Sequence, residues 1–146
     1  MQSKADDIRV INIAPFAIGA VWPFAAPHLA RGLGADTETT FSAIADALAD
    51  GTSQLWVITT GDDITGAFLT AIHDDAAGRV VHVSTLGGAG IDKAATLIDD
   101  AMGEFAKSVE CVRVRFCGRQ GWARWLPEYD ITGQMQNHQI YERAVR

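Results

Sequence analysis

Residues 80–90 read Val-Val-His-Val-Ser-Thr-Leu-Gly-Gly-Ala-Gly, and a helical pattern follows at once as far as Val109. A β-forming run therefore ends in a turn of small residues, and that turn opens a helix. Three glycines and an alanine in four positions leave backbone N–H groups uncovered. They lie beside a helix N-terminus, which favours negative charge. The arrangement suits the pyrophosphate of a nucleotide cofactor such as coenzyme A. The same residues also suit a tight strand-to-helix connection that binds nothing.

The totals narrow the choice. A chain of 146 residues can bury a proper core, and residues 1–146 are expected to form one domain. With 48% hydrophobic and 21% charged residues it is not a disordered chain. A formal charge of −6 argues against nucleic-acid or anionic-membrane partners. The charge is uneven, because residues 111–146 hold six arginines, no lysine and three acids. Either the domain has two surfaces of opposite sign, or its C-terminal part holds an interface or anion site.

Cys111 and Cys117 flank an apparent strand, about 20 Å apart by strand rise, and read as free thiols. His28, His73, His82 and His138 are scattered without metal-ligand spacing, so no metal is expected. Lys4, Asp6, Asp7 and Arg9 precede any apolar run, unlike a secretory leader. Residues 10–27 carry no charge and approach membrane-span length. Pro15, Pro23, Pro27 and Asn12 make a strand plus a buried helix the better reading, with no membrane partner.

Residues 8–13 predict a first strand, ended by Ala14-Pro15. A helix is expected from Trp22-Pro23 to Leu33, stopped by Gly32 and Gly34. Asp36 or Thr37 can cap a second helix with Phe41, Ile44, Ala45 and Leu48 on its apolar face. Strands over 54–59, 66–73 and 79–85 are joined by short Gly/Asp connections, which predicts an antiparallel meander. The helix over 91–109 buries Ile91, Ala94, Ala95, Ile98, Ala101, Met102, Phe105 and Val109. A strand over 111–116, a short helix over 119–126 closed by Pro127, and a strand over 139–145 complete the chain. The order β-α-α-β-β-β-α-β-α-β implies an α/β (α+β) fold. Its sheet is mixed and mostly antiparallel, with helices on both faces.

That order resembles the GNAT family of acetyl-CoA-dependent N-acyltransferases, and is most similar to phage-encoded GNAT-like proteins. The residues that carry the resemblance begin with Val21-Trp22-Pro23, Leu29-Ala30-Arg31, Gln54-Leu55-Trp56-Val57 and Leu86-Gly87-Gly88-Ala89-Gly90. Val112-Arg113-Val114-Arg115-Phe116 and Gly118-Arg119-Gln120-Gly121-Trp122-Ala123-Arg124 complete them. The resemblance implies acetyl-CoA between the fourth and fifth strands, with its pantetheine along the fourth strand and its pyrophosphate on the turn. The cofactor-binding residues it implies are Val83, Thr85, Leu86, Gly87, Gly88, Ala89, Gly90 and Ile91.

The chain departs from the family at three points. Thr85 stands where the family's turn carries glutamine or arginine, and Asp92 puts a carboxylate in the first helical turn. Trp125 stands where many members carry a tyrosine acid, and an indole is no proton source near neutral pH. His82 is the candidate base, with His73 behind it, and Tyr129 the candidate acid, with Tyr141 behind it. For each histidine, the role of an ordinary strand residue stays open. Arg115, Arg119 and Arg124 near Trp122 and Trp125 would either bind an anion or partner, or cover core tryptophans with their stems.

Three functions follow from the resemblance. One is an acetyl-CoA-binding N-acetyltransferase with eroded catalytic motifs, acting in a host cytoplasm on a CoA-type ligand. Another is a non-catalytic virion component, docked on phage virion proteins of a head, neck or tail through its basic, Trp-rich C-terminal part. An accessory phage protein that binds or modifies a host protein is a third.

Overall fold

The computed structural model describes residues 7–33, 37–76, 78–118, 120–135 and 138–146. Asp36 and Arg119 lie outside them. The elements are β1 (Ile8–Asn12), α1 (Ile18–Leu33), α2 (Thr37–Asp50), β2 (Ser53–Thr60), β3 (Asp63–Asp75), β4 (Gly78–Gly88), α3 (Ile91–Ser108), β5 (Arg113–Gly118), β6 (Asp130–Met135) and β7 (His138–Ala144). The sheet has seven strands in the order β1-β2-β3-β4-β5-β7-β6. Every pairing is antiparallel except β4 with β5. The meander β2-β3-β4 is as expected.

Strand alternation sorts the core into two layers. Leu55, Val57, Ala67 and Leu69 pack against Ala25 and Leu29 of α1 and Ile44 and Leu48 of α2. Trp56, Ile58, Phe68, Val81, Val83, Val114, Phe116 and Tyr141 face the other way, with Ala94, Ile98, Met102 and Ala106 of α3. The helices therefore cover both faces of the mixed sheet.

Four elements differ from their predicted form. α1 begins at Ile18, after a 3₁₀ turn at Pro15–Ala17, and carries Pro23 and Pro27 inside it. Both prolines are exposed, as is Gly19, so the Gly19 and Pro23 carbonyls that lose their N–H partners lie on exposed residues, while fully buried Ala25 and Leu29 hold the helix down. Burial outweighs the proline penalty there. β5 starts two residues later than predicted, because Glu110 turns the chain at φ 60 after α3 and Cys111 enters the core. The predicted helix over 119–126 is reduced to a 3₁₀ turn at Gln120–Arg124, ended by amides of Trp125 and Leu126 on the Trp122 carbonyl. β6 was not predicted. It is a sheet-edge strand with exposed Ile131 and an irregular register beside Gly133, so it lacks the alternation that marks a half-buried strand.

Residues 10–27 are divided between β1, the 3₁₀ turn and α1. Among the described residues no helix is long and apolar enough to cross a membrane.

Candidate functional site

The β4–β5 ladder is short. Val80–Val83 pair with Arg113–Phe116, and beyond the Val83–Phe116 rung the strands part. At that point the β3–β4 register slips, so that Thr85 is an extra residue opposite Phe68 and Leu69. Thr85 has φ 50, a left-handed conformation that a β-branched residue adopts only under constraint. The parted strands enclose a cleft of about 790 Å³. Thr85 and Leu86 of β4 form one wall, Cys117 and Gly118 of β5 the other. Trp122 and Trp125 stand beside the β5 wall, and Arg31 and Gly32 bring the end of α1 to the rim.

The glycines of the turn divide into two kinds. A Cβ on Gly87 would clash with the His28 carbonyl oxygen, and one on Gly88 with Gly66 and the Thr65 carbonyl. Gly32 in turn sits against the Leu86 backbone. These three permit α1 and β3 to approach β4 closely, which is the tight-connection role. Gly90 is different: at φ +69 it has nothing within 4 Å of its Cβ position, so it faces open space.

The amides divide likewise. The Ala89 N–H donates to Thr65 O at 3.0 Å. The first intrahelical bonds of α3 run from Lys93 and Ala94 to Gly90 O. The amides of Gly90, Ile91 and Asp92 precede any intrahelical acceptor and stand at the positive end of the helix dipole. The anion-facing segment is therefore 90–92, with the Asp92 carboxylate beside it on the cleft wall.

Thr85, Leu86, Gly87, Gly88, Gly90 and Ile91 are thus brought together along the cleft. The Val83 side chain is not part of it. It is 1% exposed in the core, and its backbone forms the last rung to β5.

His82 lies between two core valines, so its ring projects from the opposite face, the one that α1 covers farther along β4. It stacks on His73 at 5.2 Å between centroids and is opposite Arg115 in the ladder. Burial above all, then the charges of His73 and Arg115, pulls its pKa down to about 4, against a smaller opposing effect of Glu142. The ring is therefore neutral near pH 7, and its buried Nδ1 has no hydrogen-bond partner among the described residues. It stands short of the cleft wall, at the closed end of the wedge.

That end is clamped. Arg115 pairs with Glu142 at 2.7 Å and Asp75 at 2.9 Å, and Arg113 with Asp75 at 3.2 Å and Glu142 at 3.5 Å. Together these pairs tie β3, β5 and β7 across β4.

Tyr129 is placed elsewhere. Its hydroxyl donates to Asp99 Oδ1 of α3 at 2.6 Å and accepts from Arg143 Nε at 3.2 Å, in the layer beneath α3. Burial first, with Asp99 next, pushes its pKa well up, so the phenol keeps its proton. Tyr141 is fully buried and donates to Gln139.

Four of the C-terminal arginines are paired with carboxylates, whereas Arg124 is exposed and donates to the Gly121 carbonyl at 3.4 Å. Arg143 pairs with Asp99 at 2.7 Å, Arg146 with Glu128 and Asp99, and Arg113 and Arg115 as above. Trp122 packs edge-on against Phe116 and covers Gly118, where a Cβ would strike its ring. Trp122 is cleft wall and core at once, and Trp125, tilted against it at 6.4 Å, is cleft wall. Arg31, Gly32, Cys117, Gly118 and His138, which also line the cleft, carry no local signal that marks them as a set.

No protein-family model matches the chain, and no curated protein sequence does. Solved structures do. A GNAT family acetyltransferase from Elizabethkingia anophelis with acetyl-CoA bound is similar at TM-score 0.65 and 10% identity, over 95% of this chain and 99% of that one. The PaiA N-acetyltransferase from Thermoplasma acidophilum in complex with coenzyme A is similar at TM-score 0.61 and 10% identity, over 94% and 99%. FeeM, an N-acyl amino acid synthase from uncultured soil microbes, is similar at TM-score 0.61 and 12% identity, over 95% and 90%. At these identities the likeness concerns architecture: the chain has the GNAT fold.

Proposed function

We propose that the chain binds a coenzyme A thioester in the β4–β5 cleft and transfers its acyl group to an amine. The observation that carries this reading is the open wedge with Gly90 facing empty space beside the amides of residues 90–92, which have no hydrogen-bond acceptor among the described residues. Two of the three similar structures described above hold acetyl-CoA or coenzyme A, which supports the same assignment.

The residues present fit such a ligand. Gly90, Ile91 and Asp92 offer amides to the pyrophosphate, and the β4 edge at Thr85 and Leu86, free of β5, offers backbone groups to an amide-bearing pantetheine arm. Gly87 and Gly88 act by packing, and Ala89 by its bond to Thr65. The Asp92 carboxylate works against a phosphate and limits affinity. When bound, the thioester supplies an acyl carbon that the neutral amine nitrogen attacks as the C–S bond breaks, yielding an amide, a thiolate and one proton from the nitrogen, which the thiolate finally takes up to leave as the thiol. His82, neutral at the closed end of the wedge, is the group we assign to relay that proton, and the burial that lowers its pKa to about 4 makes it a weak acceptor. Tyr129, locked to Asp99 and Arg143, is given no part.

Docking on a virion is not favoured. Four arginines of the C-terminal third are paired with carboxylates, and its tryptophans Trp122 and Trp125 line the cleft.

Thermal unfolding with and without acetyl-CoA tests the proposal. Micromolar binding at millimolar ligand should add roughly 4 kcal/mol of stability. No shift with acetyl-CoA, free CoA or longer acyl-CoAs would overturn it.

A further inference from the structure

Arg31 stands in the last turn of α1, with an exposed side chain on the cleft wall. Its backbone is fixed relative to β4, since Gly32 rests on Leu86 and the His28 carbonyl on Gly87. Arg9, Arg79, Arg113, Arg115, Arg143 and Arg146 are each held by a carboxylate. Arg31 and Arg124 have no ion pair among the described residues, and Arg31 is the one arginine or lysine on the described cleft wall.

The faces of the sheet give this charge a direction. Gly90 and the start of α3 belong to the side that α3 covers, whereas α1 covers the other. His82 projects from that second face too. The rim where Arg31 stands therefore lies on the same side of the sheet as His82. His82 and Leu86 are separated by roughly 13 Å of strand, a span that an arginine, a histidine and one small molecule can bridge. A plain ammonium would be repelled by this guanidinium. A carboxylate on the same molecule reverses the sign and matches the guanidinium's two-pronged geometry.

From this we infer that Arg31 recognises an anionic oxygen group of the acceptor, and that the acceptor class is a free amino acid or similar small amine carrying a carboxylate. The inference rests on the transferase reading above.

The test is equilibrium binding to the CoA-loaded protein, by calorimetry, of a panel of amino acids, each against its own amide. At least one acid should bind about tenfold or more tightly than its amide, the size of a charge-assisted contact. Arg31→Gln should erase that difference and leave CoA affinity unchanged, and Arg31→Lys should restore part of it. Unfolding curves of both variants confirm that they fold. Equal binding of acid and amide, or no amino acid bound at all, overturns the inference. So does an Arg31→Gln variant that weakens CoA while leaving 3′-dephospho-CoA untouched, because the arginine would then serve the donor's phosphate. Failure of CoA itself to bind is a distinct result, and sinks the transferase reading first.

Discussion

The two halves of β4 are built on opposite principles. Val80–Val83 have a strand on each side, and Val80, Val81 and Val83 are at most 1% exposed. The closed half ends on Phe116, and across its outer end the Asp75, Arg113, Arg115 and Glu142 clamp holds three strands together. Beyond Val83 the strand loses its β5 partner, takes a bulge at Thr85, and runs into glycines that other backbone segments press upon. Apolar burial thus stabilises one half, and the other trades ladder hydrogen bonds for a cleft. Stability concentrates before the bulge and ligand-facing backbone after it, with His82 the one group of the closed half to which chemistry is assigned.

Substitutions on either side of Thr85 should separate the two principles. The largest effect belongs to the closed half: Phe116→Ala leaves a cavity where Tyr129 and Trp122 now pack, and should lower unfolding free energy by about 4 kcal/mol in urea. Gly87→Ala comes next, at about 3 kcal/mol, because the new methyl must push α1 away from β4. Gly90→Ala, three residues on, should cost only about 1 kcal/mol of left-handed strain while weakening CoA binding more than that loss explains. Similar costs at Gly87 and Gly90 would break the distinction drawn between packing and open glycines.

The pH dependence of stability sharpens the contrast from the closed half. His82 has an ordinary value of 6.5 and about 4 in the fold, so above pH 6.5 both states are neutral and the stability is fully present. As pH falls from 6.5 toward 4 the unfolded chain takes up a proton that the native chain refuses, and stability declines. His82→Asn should flatten that part of the profile, and an unchanged slope would count against burial as the cause. The smallest effect is at the bulge. Thr85→Gly relieves a positive φ but frees the unfolded chain, for a net gain under about 1 kcal/mol in thermal melts.

Much of the architecture could be read in the sequence, and the reasons are local. The valines of β4, the Gly/Asp turns of the meander and the stripe of α3 each obey one period and one solvent boundary, so pattern and structure agree. β6 and the start of α1 were not legible, because edge position and burial against the sheet decide them, not propensity. At the site, the turn itself was visible, yet nothing in Leu-Gly-Gly-Ala-Gly distinguishes Gly87, pressed by His28, from Gly90, which faces open space. Arg31, Cys117 and His138 come from three separate elements, and only the completed sheet places them around one cleft. Residue type alone makes Tyr129 an acid candidate, and the partners that lock it, Asp99 and Arg143, lie 30 and 14 residues away in sequence.

Titration with coenzyme A followed by backbone amide NMR tests the division of β4 most directly. The account predicts shifts concentrated at Thr85–Asp92 and at the indole N–H groups of Trp122 and Trp125, with Val80–Val83 quiet. Perturbations centred on Val80–Val83, or none at saturating ligand, would contradict it.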